Sequence, residues 1–596
     1  MAYHPPVNDI LFALKSACGF DELLDEGLYP GLDQETVEAV VTEAGRFAAE
    51  VLDPLNQIGD RQGSRLADGT VATPKGWKEA YQAFAESGWS ALPCPEEFGG
   101  QELPQVVSTA VCELWNSANL AFGLCPLLTQ GAIDAIEIGG SDALKAKYLP
   151  KLVSGEWSGT MNLTEPQAGS DLGALTTKAE PVGDGTYKIF GTKIFITYGD
   201  HEMTDNIIHL VLARLPDAPP GTKGISLFLV PKRLVNEDGS LGERNDVVCT
   251  GLEEKLGIHA SPTCVMTYGE KGGAIGYLVG EENRGLATMF IMMNAARLAV
   301  GVQGVSVAER ATQRAVEYAN ERRQGKALSG GGFPAPIVYH ADVRRMLLTM
   351  QAMTQAARSI CLVTTRETDI ARLAEDPQRQ AKALARVALL TPVAKAFSTD
   401  VGCEVASLGV QVHGGMGFVE ETGAAQYYRD ARILPIYEGT NGIQAIDLVA
   451  RKLPMEGGAV LSEYLNELAA IVHAVANSNR PEFGDMAERL SDALTALGGA
   501  SKWMGEQLQT NPEAALAGAT PYLRLFGIVA GGCYLASGAL SVVREGGEGL
   551  PGGGAKYVDM ARFFAETVAV TGPGLAAVVV KGADSLLSVP VERFSA

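Results

Sequence analysis

Apolar residues recur at helical spacing over most of this chain, and one internal stretch breaks the pattern. Between Glu35 and Leu52, the residues Val37, Val40, Val41, Ala44, Ala48 and Val51 fall on one helix face, and Pro74 to Ser87 reads as another helix opening with proline. Trp89 to Gly100, with two prolines and two glycines, predicts a connection. From about Trp157 the period becomes that of strands. Tyr187 to Thr197, Ile207 to Arg214, Ile225 to Val230 and Cys264 to Tyr268 alternate or run β-branched, with glycine and proline between them, which predicts a compact β domain ending near Gly280. Helical spacing returns at Gly285 and continues to about Leu453, with breaks predicted at Gly330 to Pro336 and Gly409 to Phe418. Pro454 to Gly458 predicts a linker. Beyond it Ala459 to Asn477, Pro481 to Leu497 and the run near Leu525 predict a second helical unit, with Glu545 to Gly554 a glycine-rich loop. The expected fold is α+β and mostly helical, in four parts: 1–156 helical, 157–280 β, 281–453 a helical bundle, and 454–596 helical.

Composition narrows the function classes. A chain of 596 residues is too long for one core. Its 48 basic and 70 acidic side chains give a net charge of -22, a field that repels phosphate backbones and argues against nucleic acid as a partner. The nine cysteines form no Cys-x-x-Cys pair and the seven histidines no His-x-x-x-His pair, so neither a metal site nor a disulfide framework is expected. A reducing, cytoplasmic setting fits this usage. Met1-Ala-Tyr-His-Pro-Pro lacks the basic and apolar regions of a secretory signal. Leu525 to Val543 carries no charge, but its glycines and alanines make it weakly apolar, so a buried bundle helix is expected there and no stable membrane insertion.

Five segments carry candidate chemistry. Pro435 to Ala445 sets one carboxylate, Glu438, in an otherwise neutral stretch; with no cation inside the segment, partial burial would raise its pKa and make it a base near neutrality. The competing reading is a solvated loop glutamate. Leu163-Thr-Glu-Pro-Gln-Ala-Gly-Ser-Asp offers hydroxyls that can bond a ring heteroatom without adding charge. Lys193-Ile-Phe-Ile-Thr-Tyr-Gly places an aromatic ring, Phe195, two residues before Thr197. Glu321-Arg-Arg-Gln-Gly-Lys supplies guanidinium forks suited to phosphate. Gln411-Val-His-Gly-Gly-Met-Gly-Phe lets a backbone approach a bulky group closely.

Helix, then β, then helix, with the odd acid on the late turn, resembles the acyl-CoA dehydrogenase family across roughly Glu35 to Leu453. The resemblance implies FAD as cofactor. It implies that Leu163, Thr164, Phe195 and Thr197 lie at the flavin ring and that Thr440 reaches the diphosphate region. Arg322 and Gln324 would receive the pyrophosphate across a dimer, with the choice between Arg322 and Arg323 open, and Gln411, Gly414 and Gly415 would hold the adenine end from the neighbouring subunit. Ser170, Arg297 and Gly439 would meet the acyl-CoA substrate. Glu438 would take the α proton, because the position used by other branches of the family aligns with Ala296. Phe195 stands where the family usually has tryptophan, and Gly442 where many relatives have glutamine.

The implied reaction is α,β-dehydrogenation of an acyl-CoA thioester to the trans-2-enoyl-CoA, with an electron-transferring flavoprotein as acceptor and a homodimer or larger homo-oligomer as the assembly. The extra C-terminal unit resembles the family's long branch. Within it the resemblance favours a short substrate, 3-(methylthio)propanoyl-CoA first; Met161, Met289, Met292 and Met293 are candidate liners of a thioether pocket, although a methionine stripe at helical spacing is more often plain core. A long-chain dehydrogenase, an acyl-CoA oxidase and a noncatalytic flavin-bearing DNA-protection protein are the alternatives. The last should have a basic C-terminal region, whereas Glu482, Asp485, Glu488, Asp492, Glu506 and Glu513 lean acidic.

Overall fold

The computed structural model describes residues 2–67 and 69–595. The N-terminal helices include α1 (Val7–Ser16), α2 (Gln34–Phe47), α3 (Trp77–Glu86), α4 (Gln105–Ala118) and α5 (Leu120–Gly139). Polar caps set their starts: the Asp33 carboxylate accepts from the Thr36 N–H and the Asn119 amide oxygen from the Phe122 N–H. The expected helix over Glu35 to Leu52 is α2 followed by a π turn at Ala48–Leu52.

Eight strands then form one sheet: β1 (Trp157–Asn162), β2 (Lys178–Pro181), β3 (Tyr187–Thr197), β4 (Asn206–Ala213), β5 (Ser226–Pro231), β6 (Val247–Leu252), β7 (Thr263–Tyr268) and β8 (Ala274–Val279). The order is β6-β7-β3-β8-β5-β4-β1, with β2 also paired to β3. The β1–β4 pairing is parallel, and among the described residues the other strand pairings of this sheet are antiparallel. Strands β4 and β5 are buried along their whole length, which is why they read as continuous apolar runs and not as alternating ones.

Three long helices follow: α6 (Gly285–Glu321), α7 (Ala341–Leu373) and α8 (Pro377–His413). Helices α6 and α8 run parallel and nearly touch. A Cβ at Gly304 would lie 2.3 Å from the Ser398 carbonyl oxygen, and one at Gly402 2.9 Å from that of Gly304, so glycine is required for this approach. The break expected to begin at Gly409 begins at Gly414 instead. Gly409 is a buried helical residue, and the packing of α8 against α6 and α7 offsets its poor helix propensity; a Cβ there would meet Ala311 at an ordinary 3.6 Å.

After the short helix α9 (Asn441–Asp447) come α10 (Ala459–Asn477), α11 (Met486–Thr510), α12 (Ala519–Glu545), α13 (Ala555–Thr567) and α14 (Gly572–Leu587). Helix α11 starts later than the expected Pro481, which opens a separate turn closed by Gly484 at φ +52°. Nor does the linker at Pro454 to Gly458 separate two bodies, because one apolar core runs from α1 through the bundle into the last helices. Helix α12 explains this. Its glycines seat Phe397 of α8 at Gly527, Ala356 of α7 at Gly531, Leu490 of α11 at Gly532 and Phe12 of α1 at Gly538. Its best 18-residue window has a mean hydropathy of 1.7, so weak apolarity was the wrong reason to expect a bundle helix; the right one is that 83% of that window is buried in protein.

Candidate active site

The turn carrying Glu438 is clamped from three sides. Asn441, at the start of α9, donates from its backbone N–H to the Pro435 carbonyl (3.0 Å). Its amide nitrogen donates to the Ala396 carbonyl (3.1 Å), Thr399 Oγ1 (3.0 Å) and Asp400 Oδ1 (2.7 Å), and its amide oxygen accepts from Lys395 Nζ (2.8 Å). Gln444 Nε2 donates to the Glu438 carbonyl (3.2 Å), and the Tyr437 hydroxyl donates to Gln303 Oε1 on α6. Thr440 Oγ1 accepts the Ile443 N–H and caps α9 (3.3 Å). These bonds hold Glu438 and Gly439 at φ +54° and +81°, a backbone region that L residues adopt at a cost of about 1 kcal/mol or more.

Glu438 itself is half-buried. Burial pushes its carboxyl up to about 7, against the opposing pull of Arg297 on α6 and Lys395 on α8. Cations absent from the segment are thus supplied by other helices, and burial still wins. Arg297 is held below its ordinary value by burial, offset by Asp447 and Glu438. Its Nη1 donates to Asn294 Oδ1 (3.2 Å), while its buried Nε meets no acceptor among the described residues. Gly439 is adjacent: a Cβ there would lie 4.0 Å from Arg297 Nη2. Ala296, in the same turn of α6, is buried. Lys395 has no exposed surface, and burial brings its ammonium down to about 7 despite Glu438 and Asp400.

A second group forms on the β domain. Leu163 and Thr164 follow β1 and are tied to β3, where the Ile194 N–H donates to the Thr164 carbonyl (2.9 Å) and Lys193 Nζ to the Leu163 carbonyl (2.9 Å). Lys193 also pairs with Glu165 (2.8 Å), both side chains being at most 2% exposed. Glu165 is otherwise surrounded by neutral donors from Gln167, Thr176 and Thr177. Burial pushes its carboxyl up, but Lys193 and these donors outweigh that and hold it near 2. The same strand turns Phe195 outward at φ +60°, leaving it 58% exposed beside Thr197. Ser170 lies exposed in the loop that follows Glu165.

The third group sits at the far end of the bundle. Arg322 ends α6 and Gly414 ends α8; the two ends meet where Tyr318 stacks on His413 at 4.4 Å. Arg322, Gln324, Gln411, Gly414 and Gly415 are all exposed there. Arg323 Nη1 donates to the Pro334 carbonyl (2.9 Å), so Arg323 is engaged by its own loop, which favours Arg322 as the outward fork. Arg297 and Arg322 are 25 residues apart on one continuous helix. At 1.5 Å per residue that is roughly 37 Å, too far for both ends of the bundle to hold one dinucleotide within a single chain.

Two expectations need correction or addition. Met289 and Met292 are fully buried in the core shared by α5, β1 and α6, with Met161 and Met293 packed against it and Met292 filling the space at Gly131, so these methionines are core. Lys395, Gln444, Lys193 and Glu165 went unrecognised as parts of the site. A lone lysine inside the apolar run Leu389 to Phe397 was a readable signal, since lysine is almost never fully buried without a partner.

Comparison with known proteins shows the family of the chain. Models of the N-terminal, middle and C-terminal domains of acyl-CoA dehydrogenases match residues 34–156, 160–269 and 283–453, and a model described as acetyl-CoA dehydrogenase C-terminal like matches 464–590. The 3-methylmercaptopropionyl-CoA dehydrogenase of Ruegeria pomeroyi is 47% identical over 593 residues, covering 99% of this chain and 100% of that protein. A butyryl-CoA dehydrogenase of Syntrophomonas wolfei is 36% identical over 503 residues, 82% of each chain. Among solved structures, an acyl-CoA dehydrogenase of Bacillus anthracis complexed with FAD shares the fold, with a TM-score of 0.73 at 22% identity, covering 94% of this chain and 90% of that one. The chain belongs to the acyl-CoA dehydrogenase family, in a form with an added C-terminal helical region.

Proposed function

We propose that this enzyme oxidises the α,β bond of a short acyl-CoA thioester, with 3-(methylthio)propanoyl-CoA as its first substrate and Glu438 as the base. The observation that carries the reading is a lone carboxylate, raised to about 7, on a turn fixed by hydrogen bonds to two other helices. Such a group is ionised often enough to accept a proton and basic enough to pull it from a weak carbon acid. The Glu438 backbone N–H meets no acceptor among the described residues, so it is left to donate to the thioester oxygen as enolate charge develops. Arg297 and Gly439 lie where the reacting end of the substrate would sit, and Ser170 would meet its CoA side.

The residues fit FAD. An aromatic ring held outward at Phe195, flanked by Thr197 and the Leu163–Thr164 carbonyl side, suits a flat ring system. Thr440 would reach the diphosphate region. FAD, when bound, takes up the two electrons released as the α,β bond is oxidised. Arg322, Gln324, Gln411, Gly414 and Gly415 would hold the nucleotide of a partner subunit, since roughly 37 Å of helix rise separates Arg322 from Arg297 beside its own chain's base, and this favours a homodimer or a larger homo-oligomer. Arg322→Ala should lower the flavin bound per chain below half, because a phosphate loses its bidentate partner. A full complement of flavin after gel filtration would refute the contact across subunits. An electron-transferring flavoprotein is the proposed acceptor, and a cytoplasmic setting fits the nine unpaired cysteines.

The substrate reading rests on the end-to-end Ruegeria pomeroyi relative, whose 3-methylmercaptopropionyl group is the 3-(methylthio)propanoyl group. The buried methionines lend it no support. One methylene in an apolar pocket is worth only about 1 to 3 kcal/mol, so preference should be graded and butanoyl-CoA should also turn over. Measuring kcat/KM for methylthiopropanoyl, butanoyl, octanoyl and palmitoyl esters under one acceptor tests this; palmitoyl-CoA as best substrate would overturn it.

A further inference from the structure

Lys395 is a buried lysine in a place where a neutral donor would close the same hydrogen bond. It sits on α8, one turn before Thr399 and Asp400, with no exposed surface. Of its three donors, one is used, toward Asn441 Oδ1 (2.8 Å). A glutamine or serine could hold Asn441 without burying a charge, and burying an ammonium with a single hydrogen bond costs heavily. What only the lysine brings is its charge, and that charge acts on the turn three residues before Asn441.

We propose that Lys395 is a positioning residue for proton abstraction: its buried ammonium clamps the Asn441 end of the turn and supplies the positive charge that keeps Glu438 available as a carboxylate. The inference deepens the reading of Glu438 as base and rests on it. The charged and titratable groups around the pair come from every neighbouring element: Arg297 from α6, Asp400 and Cys403 from α8, Asp447 and Arg451 from α9 and the turn after it, and Arg524 of α12 acting on Asp400. Arg297 is the other cation that acts on Glu438, and it is shared with Asp447. Burial drives Glu438 up to about 7 and Lys395 down to about 7, and in each case the charge of the other opposes the burial.

Removing the cation leaves burial less opposed, so the ionisation of Glu438 moves to higher pH. Lys395→Met deletes charge and donor; Lys395→Gln deletes the charge and keeps a donor for Asn441. In both, the ionisation seen in kcat/KM should rise by at least about one pH unit, and kcat should fall about tenfold at pH 7 and return to within about threefold of wild type at pH 9. KM for the acyl-CoA and the flavin content should stay close to wild type. A loss equal at all pH values, with the ionisation unmoved, would overturn the proposal. A second measurement covers variants that fail to fold: in wild-type enzyme labelled with [15N]lysine, the signal of one buried lysine should shift as Glu438 ionises, an inflection that disappears in Glu438→Gln, and lysine signals with no inflection that Glu438→Gln removes would overturn the proposal equally. An active Glu438→Gln would sink the base assignment itself, whereas an inactive one beside an unmoved profile would sink only the role of Lys395.

Discussion

Glu438→Gln should retain its flavin and lose turnover by roughly three to four powers of ten, because an amide of the same shape keeps the turn but cannot accept a proton. In the wild type, kcat/KM should rise with pH through about 7, where the carboxylate ionises, and the residual activity of the variant should show no such rise. The variant should also melt no lower than the wild type. A carboxyl raised in the folded state binds its proton more tightly there than in the unfolded chain, so ionising it costs stability as pH climbs from the ordinary carboxylate range toward 7. Glutamine removes that cost. Activity within tenfold of the wild type would refute the assignment.

That pairing of lost activity with undiminished stability follows from how the site is built. Two left-handed residues in a row, Glu438 and Gly439, are held by Asn441, Gln444 and Tyr437. None of those contacts uses the Glu438 carboxylate, so the clamp survives its replacement. The isolation of this acid was readable in the sequence, and so was the consequence that burial would raise it. Arg297 and Lys395 were not readable as its neighbours. They lie 141 and 43 residues upstream, on helices whose approach depends on Gly304 meeting the Ser398 carbonyl, and no local pattern encodes such a crossing.

The same division runs through the fold. Strand runs such as Tyr187 to Thr197, and the return of helical spacing at Gly285, coincide with β3 and α6 because one buried face dictates them. Errors arose where tertiary packing overrode a local breaker. Gly409 stays helical because α8 is buried there against α6 and α7. The residues expected as a linker, Pro454 to Gly458, do not part the apolar core, because α12 buries its glycines against α1, α7, α8 and α11, contacts that only the assembled molecule contains.

Lys193→Met should empty the flavin site. Lys193 ties together the two segments proposed to face the flavin: its own strand, which carries Phe195 and Thr197, and the Leu163–Thr164 turn, which it reaches at the Leu163 carbonyl (2.9 Å). Its charge also offsets a burial that would otherwise drive the Glu165 carboxyl up. Without it Glu165 keeps its neutral donors but becomes a buried charge without a counter-charge. Breaking a buried pair by removing one partner typically costs about 3 to 5 kcal/mol, an effect expected here because both side chains are at most 2% exposed. Burial also holds the lysine itself down near 8, so above that pH the wild-type pair begins to lose its charge and flavin retention should weaken. Glu165, depressed to about 2, contributes stability above the ordinary carboxylate range and loses it only as pH falls toward 2, so mild acid should spare the wild type. The variant should therefore purify with less than about a fifth of the wild-type flavin, judged by visible absorbance per chain, and melt several degrees lower even with FAD added. Flavin content and melting temperature equal to the wild type would show that the strand and the loop hold their places without the ammonium.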